Sequence, residues 1–470
     1  MTNFDITPYL YAFYPEIFLT ILAIIILISG LYGTLSKTSW WIAICGVVAC
    51  IIYSLCDQTI ITNSLRAEVI ENDQLSVWFK VILMYFTLLL LLFYGGMTRV
   101  RVWYHGFHEY VVIILIATIG GMAAISARNL LILYIALEII SLSSYILASY
   151  DREQTFSAEA GVKYFILGSL SSCIMIFGMS FIYGFAGTLS FLNIGQILST
   201  NGYSIGLIAG IFMFLIGILF KLSVFPFHFW TQDVYHGSPF ISVAFLASIP
   251  KFVALVALIN IINFMIHDIG YIWQDLFIYL SIISMIIGGL GAIPQASFKR
   301  LIGYSTVLNL GFVLLALAAN NNIGFAAALV YQVLYSTSSI GLLATLSITT
   351  SPHSDDYEIS YLTGFGTVKK LAAFAISIFM FSFAGIPPLA GFFAKFNVIV
   401  AVMEQKFYFA AVVALLISVI AAYYYINIVR IMYFSLPSEK TMRLHESSAI
   451  AFVISVCVAI TILFSILQYW

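Results

Sequence analysis

Nearly the whole chain is taken up by apolar runs long enough to cross a bilayer. A membrane-spanning helix needs about 20 largely apolar residues. Fourteen such runs can be read, at 15–33, 40–56, 76–95, 109–127, 130–150, 159–185, 205–228, 239–266, 273–294, 301–319, 323–349, 371–400, 407–433 and 448–468. Hydrocarbon offers no partner to a backbone N–H or C=O, so serial runs of this length specify helices. The expected fold class is an all-α polytopic membrane protein with about 14 transmembrane helices. The largest polar connections, 57–75, 186–204 and 350–370, are too short to hold a soluble domain. Function must therefore lie within the membrane or at a partner surface.

Composition narrows the classes further. Only 8% of the 470 residues are charged and 62% are hydrophobic, against about 25% charged in a soluble domain. Soluble enzyme classes are set aside, and a net charge of −1 gives no ground for nucleic-acid binding. Cys45, Cys50, Cys56, Cys173 and Cys457 form no CxxC pair and no Cys/His ligand cluster. They read as small apolar packing residues, so no redox cofactor or structural zinc is expected in this chain. The opening run lacks a basic leader and a small-residue cleavage site, so it reads as a retained first span.

Loop lysines and arginines give an orientation. With the N-terminus outside, the inside loops hold Lys37, Arg99, Arg101, Arg152, Lys299, Arg300, Lys369, Lys370, Arg430, Lys440 and Arg443, and the outside loops hold Arg66, Arg128 and Lys406. Eleven against three places both termini outside. A missed span would scramble that alternation, so the bias supports fourteen. Lys80 falls near a span end, while Lys163, Lys221, Lys251 and Lys395 fall within spans.

Two spans carry helix breakers beside a lysine. In span seven, Lys221 is followed by Pro226 and His228; in span twelve, Gly385, Pro387, Pro388 and Gly391 precede Lys395. Proline removes an N–H and frees a carbonyl one turn back. The breaks are therefore expected at Pro226 and at Pro387–Pro388. They lie five spans apart, so they cross the membrane in opposite directions. That implies two inverted five-helix repeats, 109–266 and 273–433, after three N-terminal helices in 1–108 and before a last helix at 448–468. The repeat is inferred from breaks and lysines, not from internal sequence similarity. Discontinuous helices at matching places in two halves point to an ion path.

Particular residues then become candidates for a proton path. Glu138 lies roughly 13 Å into span five, near the midplane. Ser141, Ser144 and Tyr145 share its helical face. A lone buried carboxylate stays protonated; beside a lysine it ionises in step with that lysine. The alternative is a structural ion pair. Lys221 and Lys251 are the matching cations, with Lys251 roughly 18 Å into its helix and Pro250 expected to kink that helix. Snorkelling to the interface fits neither lysine. Lys163 stands one turn from Glu159, which by itself reads as an i,i+4 pair, yet it is close enough to membrane depth to modulate Glu138. His228 titrates near neutrality and is either part of the path or a loop histidine at the membrane edge. Lys395 looks like the distal end of the path, and Glu109 reads as interfacial. Tyr304, Tyr331 and Tyr335 are candidates for hydrogen bonds through spans ten and eleven.

These residues stand in recognisable motifs: LEI with Glu138, GVKYFILGSLSS with Lys163, FKLSVFPFHFWT with Lys221 and His228, PK at 250–251, KRLIGYST at 299–306 and AGIPPLAGFFAKF with Lys395. Over essentially its whole length the chain resembles the proton-translocating, antiporter-like membrane subunits of NADH–quinone oxidoreductase (respiratory complex I). That family is shared with multisubunit cation/proton antiporters. The resemblance implies fourteen helices, two inverted five-helix repeats with broken helices seven and twelve, and a polar axis from the Glu138–Lys221 pair through Lys251 to Lys395. Lysine at 395 agrees with one branch of these subunits, where a near relative carries glutamate. Gln232 departs from the commoner WTPDVY form.

The resemblance further implies a subunit without a catalytic centre or cofactor of its own. NADH, FMN, iron–sulfur clusters and quinone would be bound by other subunits. The expected partners are other membrane subunits of complex I, including antiporter-like neighbours, with the lipid bilayer and protons; no nucleic acid is expected. The expected location is the bacterial cytoplasmic (inner) membrane. Two rivals stay open on sequence grounds: a subunit of a stand-alone sodium/proton antiporter, and a non-transporting scaffold. Four intramembrane lysines and an acid argue against the scaffold.

Overall fold

The computed structural model describes residues 13–32, 36–56, 69–97, 107–151, 153–200, 204–348, 357–437 and 447–467. The orientation residues Arg66, Arg99, Arg101, Arg152, Lys440 and Arg443 lie outside them. The described chain is helical, with isolated bridges such as Ile70–Ala127 and Asn129–Ser190 tying connections at helix ends.

In order the helices are α1 (Tyr14–Leu31), α2 (Ser36–Cys56), α3 (Gln74–Met97), α4 (Phe107–Ser126), α5 (Leu130–Ala148), α6 (Thr155–Ala186), α7 (Phe191–Thr200), α8 (Ile205–Lys221), α9 (Phe229–Gly237), α10 (Phe240–Ile261), α11 (Gly270–Gly291), α12 (Phe298–Ala318), α13 (Asn322–Ser347), α14 (Phe365–Val368), α15 (Lys370–Ala384), α16 (Ala390–Glu404), α17 (Tyr408–Phe434) and α18 (Ser448–Leu467). Among the described residues eleven helices are long and apolar enough to cross a membrane. Three of the fourteen sequence runs instead yield the shorter apolar helices Ile205–Lys221, Lys370–Ala384 and Ser448–Phe464.

Local chemistry sets the ends. The Asn129 side chain accepts from the Leu131 N–H at 2.9 Å to start α5, and Ser204 accepts from Leu207 at 3.2 Å to start α8. Such caps satisfy donors that the first helical turn leaves unpaired. Where α6 meets α8, Gly178 and Gly210 bring the backbones together. A Cβ on Gly178 would stand 2.6 Å from the Gly210 carbonyl oxygen.

Every residue of α10 is buried, and α12 and α13 are buried along most of their length. These three helices form the centre of the molecule. The helix continues through Pro250, so the expected kink does not interrupt it. The irregularity comes later, as a π-helical turn at Ile262–Ile266.

Two spans are discontinuous. The first helix of the span-seven run stops at Lys221; residues 222–228, with Pro226, form a non-helical turn before α9. Likewise α15 stops at Ala384, and residues 385–389, with Pro387 and Pro388, precede α16. Gly385 takes a left-handed conformation, φ 83°, which closes α15 without a Cβ clash.

Candidate functional site

Each break does the same chemical thing. The last carbonyls of a helix have no intrahelical donor, and here a lysine from another helix supplies one. The Lys251 Nζ donates to the Lys221 carbonyl oxygen at 2.6 Å and to the Ser223 hydroxyl. Its ammonium also lies 4.5 Å from the centre of the Trp230 ring. At the other break the Lys395 Nζ donates to the carbonyls of Phe383 at 2.8 Å and Ala384 at 3.1 Å, and to Ser418 Oγ at 3.0 Å. Phe312 presents its ring 5.5 Å away. Among the described residues neither lysine has a carboxylate within ion-pair distance. Backbone dipoles at half-helix ends take that place, a geometry suited to a proton or small cation.

Lys221 is the last residue of α8 and is the one intramembrane lysine of this group paired with an acid. Its Nζ is 3.4 Å from Glu138 Oε1 and also donates to Ser141. Ser172 donates to the same carboxylate oxygen at 2.6 Å. The lysine side chain is 11% exposed and the glutamate 22%, the latter on the outer face of α5. Lys221 therefore links two sites. Its side chain meets Glu138, and its carbonyl holds Lys251.

Other candidates end up elsewhere. Lys163 is 44% exposed and bridges Glu159 at 2.7 Å and Asp233 at 3.0 Å. The structure gives it no contact with Glu138, so direct modulation of that acid is replaced by a surface pair. Arg300 reaches the same Asp233 at 3.3 Å. His228 is 3% exposed, with its ring against Phe225 and Phe229. It is a buried turn residue, and the membrane-edge reading is set aside. Pro226 lies in that same turn.

A hydroxyl and amide network extends between the two breaks. Tyr331 donates to Asn309 Oδ1 at 2.7 Å, and Asn309 Nδ2 donates to the Ser305 carbonyl at 2.7 Å. Ser305 Oγ and Tyr425 Oη are 2.6 Å apart, and Thr306 Oγ1 and Tyr335 Oη 2.9 Å. A cavity of about 20 Å³ is lined by Asn309, Tyr331, Tyr335, Ser338 and Ser382 among others. It has room for one water molecule, which needs about 10–15 Å³. Tyr304 instead packs beside Gly291.

Sequence reading missed a buried ion pair near the N-terminus. Lys80 Nζ is 2.6 Å from Glu16 Oε1, both side chains being nearly inaccessible, and it donates to Asn72 Oδ1 at 2.8 Å. Lys80 is therefore an interior cation, not a residue of the span edge. Arg128, counted among outside loops, is also buried, 3.2 Å from Glu71 and stacked over Phe264. Among the described residues no group of three His, Cys, Asp or Glu side chains is placed to hold a metal.

The discontinuous helices, the half-helix carbonyls that receive lysines and the buried Glu–Lys pair define an antiporter-like membrane subunit. Residues 127–421 match the family model described as NADH:quinone oxidoreductase/Mrp antiporter, TM, and the chain belongs to that family. Within it, similar relatives carry the name NADH-quinone oxidoreductase subunit N. One from Parvibaculum lavamentivorans is 39% identical over 335 residues, covering 71% of this chain and 69% of its own. Another, from Rickettsia bellii, is 40% identical over 358 residues, covering 76% and 78%. Among solved structures, a chain of respiratory complex I from Thermus thermophilus with bound aureothin is 25% identical, with TM-score 0.81 and 97% of both chains covered. A chain of the Mrp complex from Dietzia shares the fold at TM-score 0.85 and 18% identity, covering 98% and 95%.

Proposed function

We propose that this chain is the proton-translocating membrane-arm subunit of an NADH–quinone oxidoreductase. Quinone reduction elsewhere in the complex would drive it. The observation that carries the reading is the paired arrangement of Lys251 and Lys395, each buried and held by carbonyls at the end of a broken helix. A scaffold has no reason to meet the cost of placing such charges at membrane depth. Names of the relatives at about 40% identity point the same way.

In this reading the proton path comprises Glu138, Lys221, Lys251 and Lys395. His228 and the breaks at Pro226, Pro387 and Pro388 shape it, and Lys163 acts at its edge. A change in the Glu138–Lys221 separation alters the field at Lys251 through the shared Lys221 peptide. Lys251 then releases or takes a proton, which passes toward Lys395. Moving one charge against 100 mV costs about 2.3 kcal/mol, so the driving force must come from neighbouring subunits. Redox cofactors and quinone belong to those other subunits.

The finer architecture goes with this reading. It has fourteen spans, inverted repeats over 109–266 and 273–433, an N-terminal unit in 1–108 and a last helix at 448–468. The chain would reside in the bacterial inner membrane with both termini outside, and the end carrying Lys299 and Arg300 would face inward.

The test is Lys251→Met in the assembled complex, with quinone reduction and proton pumping measured in sealed vesicles. Pumping should be abolished or strongly reduced while the complex still assembles. Normal pumping in an assembled Lys251→Met complex would sink the axis, and sodium-dependent transport without NADH oxidation would favour an antiporter instead.

A further inference from the structure

On the reading just given, Lys251 must be reached by protons from one side of the membrane. Deep between α9, α12 and α13 lie polar atoms that the fold leaves without partners. Thr231 Oγ1 and Tyr235 Oη on α9, and Gln332 Oε1 on α13, are buried and make no hydrogen bond among the described residues. Leaving such an atom unsatisfied costs about 1–3 kcal/mol. Interiors usually meet that cost with bound water. Thr231 and Tyr235 are four residues apart, so both point from one face of α9.

These atoms are not scattered. The Tyr235 hydroxyl lies beside Thr306 and near Tyr335. Thr306 Oγ1 is in turn 2.9 Å from Tyr335 Oη. Tyr335 lines the one-water cavity with Asn309, Tyr331, Ser338 and Ser382. Next to it on α13, Gln332 Nε2 donates to Ser336 Oγ at 3.0 Å, and Ser336 lies 3.4 Å from the Ala247 carbonyl oxygen. Ala247 is one turn before Lys251. In that same turn Pro250 cannot donate to the Leu246 carbonyl, which leaves another acceptor.

At its other end the group approaches the surface. Tyr235 is flanked by half-buried His236, whose Nδ1 is 3.0 Å from Ser297 Oγ, and by Asp233, 40% exposed. The orphaned atoms thus run from the Arg300 end of the molecule to the turn that carries Lys251.

We propose that protons reach Lys251 from the inner side by this route, through the hydroxyls of Tyr235, Thr306 and Tyr335 and water held between them. A hydroxyl both donates and accepts. Each relay step takes a proton on an oxygen lone pair and passes on the proton that oxygen already held. No tyrosine ionises and no redox partner is needed. The last acceptor is the neutral Lys251 amine, which becomes the ammonium held by the Lys221 carbonyl. Tyr235 is a proton-positioning residue in this scheme, missed by sequence reading because nothing in WTQDVY marks its hydroxyl as different from any aromatic in a broken helix.

The experiment compares Tyr235→Phe, Thr306→Val, Lys251→Met and a remote control, Tyr94→Phe on α3, in the intact complex in sealed vesicles. Two quantities are read: protons pumped per NADH oxidised, and the ratio of pumping rates in H2O and D2O. Tyr235→Phe and Thr306→Val should each slow pumping several-fold and raise the isotope ratio, with Tyr94→Phe unchanged. Should Tyr235→Phe fail to assemble, the nearly isosteric Thr306→Val decides. If these hydroxyl variants pump as the unaltered chain does while Lys251→Met does not, the route is wrong and the proposed function stands. If Lys251→Met also pumps normally, the proposed function itself falls.

Discussion

At the scale of single residues, the buried lysines differ in what holds them. Lys251 and Lys395 are held by carbonyls and hydroxyls, whereas Lys80 is held by a carboxylate. A cation with only neutral partners can lose its proton without stranding an opposite charge, as a relay requires. The Lys80–Glu16 pair cannot do so as cheaply. Removing one member leaves a bare charge in the interior, a loss of about 3–5 kcal/mol, whereas removing both is often neutral. Lys80→Met should therefore lower the unfolding temperature of the detergent-solubilised subunit markedly, and Lys80→Met with Glu16→Leu should recover most of it. A double variant as unstable as the single one would mean that Lys80 acts through packing alone. The lysines of the broken spans were legible because proline and lysine fall together in an apolar run. The Lys80–Glu16 pair was not, because its partners belong to helices that only folding brings together.

At the scale of elements, the breaks depend on close backbone approach. In the second break a Cβ on Gly391 would stand 1.8 Å from the Ser382 carbonyl oxygen, while the Gly391 N–H donates to Ser382 Oγ at 3.2 Å. The start of α16 is thereby pressed onto the end of α15, which aims the Phe383 and Ala384 carbonyls at Lys395. Gly391→Ala should thus displace those carbonyls and strongly reduce pumping or assembly. Gly184→Ala, where a Cβ meets nothing within 4 Å, should leave both unchanged. Membrane levels of each variant and its pumping rate check this contrast, and a normal Gly391→Ala complex would refute it. The breaks themselves could be read from Pro226 and from Pro387–Pro388. The kink expected at Pro250 could not be judged the same way. A proline one turn into well-packed surroundings leaves its helix continuous, because neighbouring helices hold the chain in line.

At the scale of the whole molecule, the outer face of α5 and α6 is the informative surface. Ile135, Leu142, Val162 and Leu170 are exposed there, and Glu138 opens among them at the middle of its helix. A carboxylate at that depth does not face lipid, so a neighbouring subunit is expected to cover it. A cysteine at Leu142 should cross-link to another polypeptide of the complex when a short bifunctional reagent is added. Labelling by a lipid-soluble maleimide, with no cross-link, would show that the face lies against lipid.

What the sequence by itself determined was the solvent and the class. Uninterrupted apolar runs force helices in a bilayer, because backbone groups there have no other partner. A lysine beside a proline in such a run marks a site because both are costly at that place. The tertiary structure decided which costs are met and by whom. It joined Lys221 to Glu138 and moved Lys163 out to Asp233. It buried His228, which sequence left open, and aligned Tyr235 with Thr306 and Tyr335. The physical reason is the same in each case. Spacing along one helix fixes which side chains share a face, but a hydrogen bond between helices depends on how faces far apart in the chain are turned toward each other.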